Sequence, residues 1–266
     1  MAKLLEGKLI AGRIKEQLKA SVAGLKQAPV LASIIIGENA GAISYTKSQQ
    51  RLAVELGIKY CLHALPQDAL ESQIVQLIQK LNNDQQTNGI IIQMPLPKQI
   101  DAKSISRFIC RNKDIEGVNS PVVAAVMELI KTSGVDLYGK EIVLVGFSEI
   151  VGKPLVLLLL DKFATVTVCH IGTSKAGKLE EHVRRAEVLI VAVGKAGLIK
   201  GEWVKEGAVV IDVGINCLGN KIVGDVEFNS AEKRAAYITP VPGGVGPLTV
   251  MILMRNLVEA TLAQQS

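Results

Sequence analysis

Three glycine-bearing turns carry the clearest chemistry in the sequence. The first, Gly146-Phe147-Ser148-Glu149-Ile150-Val151-Gly152-Lys153-Pro154, follows one apolar run and precedes another. Between a strand and a helix, such a turn presents backbone N–H groups and the positive helix end to an anion such as a pyrophosphate. Its spacing is not GxGxxG, and a glycine there also serves backbone geometry alone, so this turn by itself fits either reading. Val193-Gly194-Lys195 and Gly214-Ile215-Asn216 end two further apolar runs. Three turns on the ligand-bearing edge of one open sheet favour a nucleotide. The candidate cofactor contacts are Gly146, Phe147, Ser148, Ile150, Val151 and Gly152, then Val193 and Gly194, then Gly214 and Ile215.

Other chemistries find little support. Cys61, Cys110, Cys169 and Cys217 are widely spaced with no CxxC pair, and there are only three histidines. That pattern argues against a zinc site and a disulfide framework, so no metal is expected and the cysteines are read as reduced, small and buried. Lysine plus arginine is 30 against 25 acidic residues, a net charge of +5, with 21% of residues charged. This is too weakly basic to argue for a nucleic-acid partner. The longest purely aliphatic run, residues 155–160, falls short of a bilayer span, and charges interrupt the N-terminal stretch. The expectation is a cytoplasmic protein without a membrane partner, with residues 155–160 as a buried helix face that extends into a dimer contact.

The elements that would position these turns follow from periodicity. Residues 11–25, 45–56 and 70–82 repeat apolar positions at helical spacing, while 30–36, 61–65 and 89–93 are short strand-like runs. The alternation restarts after Gly134, with strands at 141–145, 165–170, 188–193 and 209–213 and helices at 150–160 and 178–185. Four β-branched runs separated by helices or turns predict a doubly wound parallel sheet covered on both faces. A Pro/Gly loop after Pro240 leads to a helix at about 249–262, and the passage between the halves falls at 116–125. Trp203 reads as a packing anchor and His170 as a satisfied structural histidine.

At this point several long motifs identify a family. Gly-Ile-Ile-Ile-Gln-Met-Pro-Leu-Pro at 89–97, Ser-Glu-Ile-Val-Gly-Lys-Pro from Ser148, the stretch 201–216, and Ile-Thr-Pro-Val-Pro-Gly-Gly-Val-Gly-Pro-Leu-Thr from Ile238 occur in one order. Over nearly its whole length the chain resembles the bifunctional methylenetetrahydrofolate dehydrogenase/cyclohydrolases, as a divergent member. The resemblance implies an α/β protein of two domains with a cleft between them. One is a folate-binding catalytic domain at 1–120, completed by the helix 247–266, and the other a Rossmann-like dinucleotide domain at 121–246. It further implies a tetrahydrofolate one-carbon substrate, NADP or NAD as cofactor, a homodimer, and a place in one-carbon metabolism and purine biosynthesis. Tyr45 matches the family tyrosine and Gln93 the glutamine of QxPLP, while Pro242, Gly243 and Gly244 match the folate loop.

The departures cluster. The family lysine four residues after the tyrosine is Gln49 here; a carboxamide hydrogen-bonds but neither carries charge nor titrates, so hydrolysis of the methenyl product is expected to be weak or lost. Lys47 lies only two residues on, roughly 200° around a helix, and does not replace it. Hydride transfer depends chiefly on positioning and tolerates the change. Glu116 stands where Lys-Asp-x-Asp-Gly has its second aspartate, one methylene longer toward the pterin. The loop after Gly117 is shorter than in relatives. Phe147 replaces an arginine common in the first turn, and Cys169-His170-Ile171 offers neither the acid of an NAD site nor an arginine for a 2′-phosphate. Dehydrogenase activity therefore stands first, beside two alternatives: a non-catalytic relative that binds dinucleotide or folate, and a still-bifunctional enzyme.

Overall fold

The computed structural model describes residues 1–117, 120–219 and 221–265. Along the chain run β1 (Lys3–Leu4), α1 (Gly7–Ala23), β2 (Val30–Ile36), α2 (Ala40–Leu56), β3 (Lys59–Leu65), α3 (Glu71–Asn83), β4 (Gly89–Ile92) and α4 (Ala102–Ser106). Next come α5 (Pro121–Ser133), β5 (Glu141–Val145), α6 (Gly152–Leu160), β6 (Thr165–Cys169), α7 (Ile171–Lys175), α8 (Leu179–Arg185), β7 (Val188–Val191) and β8 (Val209–Asp212). The last elements are β9 (Asn216–Leu218), β10 (Lys221–Val223), α9 (Phe228–Ala231), β11 (Tyr237–Ile238) and α10 (Val245–Gln265). The chain forms two compact units: Met1–Ala11 with Val122–Thr249, and Gly12–Pro121 with Val250–Ser266.

The first unit is built on a six-stranded sheet in the order β1-β11-β8-β7-β5-β6, parallel throughout. β7 and β8 are buried at every residue, which is why they read as continuous β-branched runs rather than alternating ones. Val143, Val145, Leu189, Val191 and Val210 pack with Leu179 and Val183 of α8, and Trp203 packs against this core as an anchor. The second unit holds a three-stranded parallel sheet, β3-β2-β4, whose central β2 is buried along its whole length. Ile34, Ile90 and Ile92 meet Ile74 and Ile78 of α3 there. Asn39 caps α2 by accepting the Ala42 N–H at 3.0 Å, and Gly57, at φ +74°, ends it.

The structure departs from the sequence reading in four places. β1 and β11 extend the first unit's sheet beyond the four runs anticipated; two residues each leave no periodicity to detect. Because β1 pairs with β11, residues 1–11 belong to the dinucleotide-type unit rather than to a 1–120 domain. The run 155–160 is not one buried face: Leu155 and Leu159 are fully buried, while Leu157, Leu158 and Leu160 are exposed, because consecutive helical residues step about 100° around the axis. Of the cysteines only Cys169 is buried; Cys61 is half-buried, and Cys110 and Cys217 are exposed. α10 outruns the expected 249–262; it is long and apolar enough to cross a membrane, yet it is mostly buried in the protein, as a core helix is.

Candidate active site and dinucleotide turns

In the second unit, helical spacing puts Tyr45 and Gln49 one turn apart on α2, with Gln49 fully buried and Lys47 exposed on another face. Gln93 follows β4, its N–H donating to the Ile34 carbonyl at 2.8 Å. The two glutamines meet: Gln93 Nε2 donates to Gln49 Oε1 at 2.9 Å and to Ser33 Oγ at 2.9 Å. The return bond, Gln49 Nε2 to Gln93 Oε1, is longer at 3.5 Å. The Tyr60 hydroxyl, from β3, donates to Gln49 Oε1 at 2.8 Å. Beside them the buried Thr46 Oγ1 has no hydrogen-bond partner among the described residues. The result is a neutral carboxamide and hydroxyl cluster where the family pattern has a cation.

Glu116 is positioned by its neighbours. The buried Lys113 ammonium donates to the carbonyls of Leu81 at 3.0 Å, Asn82 at 2.8 Å and Asp84 at 2.7 Å, neutralising the C-terminal end of α3. Asp114 Oδ1 accepts the N–H groups of Glu116 at 3.2 Å and Gly117 at 2.8 Å, and Asn256 of α10 donates to the Ile115 carbonyl at 2.9 Å. Burial, with the Asp114 charge adding, pushes the Glu116 carboxyl up to about 7. Burial and then the nearby Glu116 charge also push the Tyr45 phenol up, so this hydroxyl keeps its proton. Tyr45, Gln49, Gln93 and Glu116 thus share one region of the second unit. The shortened stretch begins with Val118 and Asn119, which lie outside the described residues.

In the first unit, the turn after β5 fits a phosphate-bearing dinucleotide. Gly146 sits at φ +120° and a Cβ there would lie 2.2 Å from the Ala192 carbonyl oxygen; a Cβ on Gly152 would lie 2.6 Å from the Gly146 carbonyl oxygen. Only glycine allows this close strand-to-helix turn. Ser148 ties it internally, its Oγ accepting from Val151 N–H at 3.2 Å and its carbonyl from Lys153 N–H at 3.0 Å. Among the described residues nothing accepts from the Phe147 and Ser148 N–H groups. The Lys153 ammonium lies 5.2 Å from the Phe147 ring centroid and pairs with Glu149.

The other two turns are tied to buried carboxylates. The N–H groups of Val193, Gly194 and Lys195 all donate to the Asp225 carboxylate, and that of Gly214 donates to Asp212. These amides are committed within the protein. The turns expose the Val193 and Ile215 side chains instead. Pro242, Gly243 and Gly244 belong to this same unit, where Lys8 N–H donates to the Gly243 carbonyl at 3.4 Å and Gly244 N–H to the Pro240 carbonyl at 2.8 Å. His170 is the exposed N-cap of α7, its Nδ1 accepting the Gly172 N–H at 3.0 Å. Sequence reasoning missed Ser33, Tyr60, Asp212 and Asp225. A lone polar residue inside Val-Leu-Ala-Ser-Ile-Ile-Ile and an acid ending Val-Val-Ile-Asp were available as signals.

A parallel sheet with a glycine turn at its carboxyl edge, in one chain with an α/β unit bearing clustered tyrosine, glutamine and carboxyl groups, defines a two-unit dinucleotide-dependent enzyme. A family model described as tetrahydrofolate dehydrogenase/cyclohydrolase, catalytic domain, matches residues 5–116, and its NAD(P)-binding domain counterpart matches 120–265. The bifunctional protein FolD of Acetivibrio thermocellus is 45% identical over 99% of this chain and 98% of its own. The solved bifunctional FolD methylenetetrahydrofolate dehydrogenase/cyclohydrolase of Campylobacter jejuni is similar at TM-score 0.93 and 38% identity over 99% of each chain. The Trypanosoma brucei dehydrogenase-cyclohydrolase (FolD), solved with NADP and an inhibitor, gives TM-score 0.94 at 34% identity over 98% of each. The chain belongs to the tetrahydrofolate dehydrogenase/cyclohydrolase family.

Proposed function

We propose that the protein is a methylenetetrahydrofolate dehydrogenase that uses NADP, with hydrolysis of its methenyl product weak or lost. The observation that carries this reading is Gln49: fully buried, uncharged, and with its Oε1 already accepting from Tyr60 and Gln93. It has no ammonium to offer and no proton to exchange near neutral pH. When bound, the nicotinamide supplies the acceptor for the hydride that leaves the methylene carbon. Tyr45 and Gln93 shape the pocket around that carbon, and Glu116, when ionised, accepts from the pterin amino and ring N–H groups. The first glycine turn holds the pyrophosphate. NAD remains the runner-up because Phe147 stands where an arginine would select a 2′-phosphate.

A homodimer is part of the proposal, supported by the exposed apolar side chains of Leu157, Leu158 and Leu160 on α6. Family membership supports a place in one-carbon metabolism, and a cytoplasmic location is part of the proposal. The bifunctional reading is favoured by one observation, that the Acetivibrio thermocellus relative at 45% identity is named as bifunctional.

The deciding experiment mixes purified protein with methylenetetrahydrofolate and either NADP or NAD, and follows methenyl and formyl products separately. Methenyl accumulation with formyl lagging supports the dehydrogenase reading. Formyl product appearing in step with oxidation supports a bifunctional enzyme, and no turnover despite cofactor binding supports a non-catalytic binder. Gln49→Lys is expected to raise hydrolysis by roughly a hundredfold or more, the lower end of what a positioned acid–base group contributes. An unchanged hydrolysis rate in a folded variant would remove Gln49 as the cause.

A further inference from the structure

The two turns that close on aspartates point to a device at the carboxyl edge of the first unit's sheet. Asp225, just past β10, is fully buried. Its Oδ2 accepts the N–H groups of Val193 at 2.7 Å and Gly194 at 2.9 Å. Its Oδ1 accepts Lys195 N–H at 2.8 Å and Asn216 Nδ2 at 2.8 Å. Two donors on each oxygen fill the carboxylate's accepting capacity. Asp212, at the end of β8, is also buried and also accepts backbone N–H groups. Its Oδ1 accepts Gly214 N–H at 2.9 Å and Asp225 N–H at 3.0 Å, and its Oδ2 accepts Val226 N–H at 2.8 Å. Asp212 therefore fixes the backbone of Asp225, and Asp225 fixes the backbone at 193–195.

Two glycines make room for the pair. A Cβ on Gly214 would lie 2.2 Å from Asp225 Cγ, and one on Gly224 would lie 2.0 Å from Asp212 Oδ2. Each carboxylate thus rests against a glycine of the segment that carries the other. Among the described residues no lysine or arginine forms an ion pair with either aspartate. Burying two like charges without a cation opposes folding, and burial pushes the Asp212 carboxyl up to about 6 against the pull of its three amide donors. Apolar side chains would hold these loops together without that cost. What the carboxylates add is direction: they dictate where each successive N–H points, with Gly194 at φ +71°.

We propose that Asp225, held by Asp212, is a positioning residue for the dinucleotide: it sets the backbone at 193–195, while Asp212 holds the Gly214 amide, so that Val193 and Ile215 present a preformed docking surface for the cofactor. The inference rests on the NAD(P)-binding family match and not on which reaction the enzyme performs, so its test reads binding rather than turnover.

The test measures NADP binding by titration calorimetry to the full chain, its Asp225→Asn variant and its Asn216→Ala variant, with thermal melting in parallel. Asp225→Asn puts an amide nitrogen against two of the N–H donors, and the dissociation constant is expected to rise about tenfold or more in the folded variant. Asn216→Ala removes one neutral donor and leaves the three turn amides paired, so its constant is expected to stay within about threefold. Folded Asp225→Asn protein that binds NADP within twofold of the parent overturns the proposal. Hydrogen exchange on the unaltered protein tests it independently of the variant's folding. The amides of residues 193–195 are expected to be protected before NADP is added, and protection that appears only with NADP overturns it.

Discussion

The two units hold their reactive surfaces by opposite means. In the second unit the candidate site is made of side chains, with the Gln49, Gln93, Ser33 and Tyr60 groups bonded to one another and Glu116 nearby as the titrating member. In the first unit it is made of backbone, with glycines shaping one turn and buried carboxylates fixing two more. A side-chain site exchanges its polar groups by single substitutions while its fold persists, and α2 is intact with the uncharged Gln49 on it. A backbone turn accommodates Phe147, because the peptide N–H does not depend on the residue bearing it, but it does not tolerate a Cβ at Gly146.

That contrast is open to attack, most strongly at Gly146. Gly146→Ala forces a methyl onto the Ala192 carbonyl at a left-handed φ, and urea unfolding is expected to show a loss of roughly 2–4 kcal/mol. A loss below about 1 kcal/mol would mean that the turn relaxes freely and that its backbone is no fixed template.

The next effect concerns Glu116. Because burial pushes its carboxyl up to about 7 and the proposed pterin contact uses the ionised form, kcat/KM for methylenetetrahydrofolate is expected to rise as pH rises through about 7. Glu116→Gln should flatten that limb and lower kcat/KM roughly tenfold, in line with loss of a charge-assisted contact; an unchanged limb would assign the titration to another group. Stability moves the other way. The folded value lies above the ordinary 4.5, so the native protein holds more protons between the two values, and this group's contribution to stability declines as pH rises from about 4.5 through about 7. Glu116→Gln should remove that decline in pH-dependent denaturant midpoints.

The smallest effect sharpens the side-chain half of the contrast. Tyr60→Phe deletes one donor to Gln49 Oε1 and leaves the Gln93 donor in place, so a loss of about 0.5–1.5 kcal/mol is expected with oxidation rates changed only a few-fold. A rate collapse would show that Tyr60, rather than Gln93, is what aligns Gln49.

The sequence by itself determined what depends on near neighbours. The buried strands at Val30–Ile36 and Glu141–Val145 coincide with apolar runs, the glycine turn after β5 lies where its spacing put it, and Tyr45 with Gln49 share a face because a helix turns once in about four residues. Only the tertiary structure decided which distant groups meet. Gln93 lies 44 positions from Gln49, and Asp225 lies 32 positions beyond Val193. Sheet order brings those segments together, and no local period encodes it. The same long-range pairing assigned residues 1–11 to the first unit through two-residue strands, and made the amides of residues 193–195 partners for a buried carboxylate. Hydrophobic period is a property of consecutive residues, whereas the satisfaction of a buried polar group depends on whatever the folded chain places beside it.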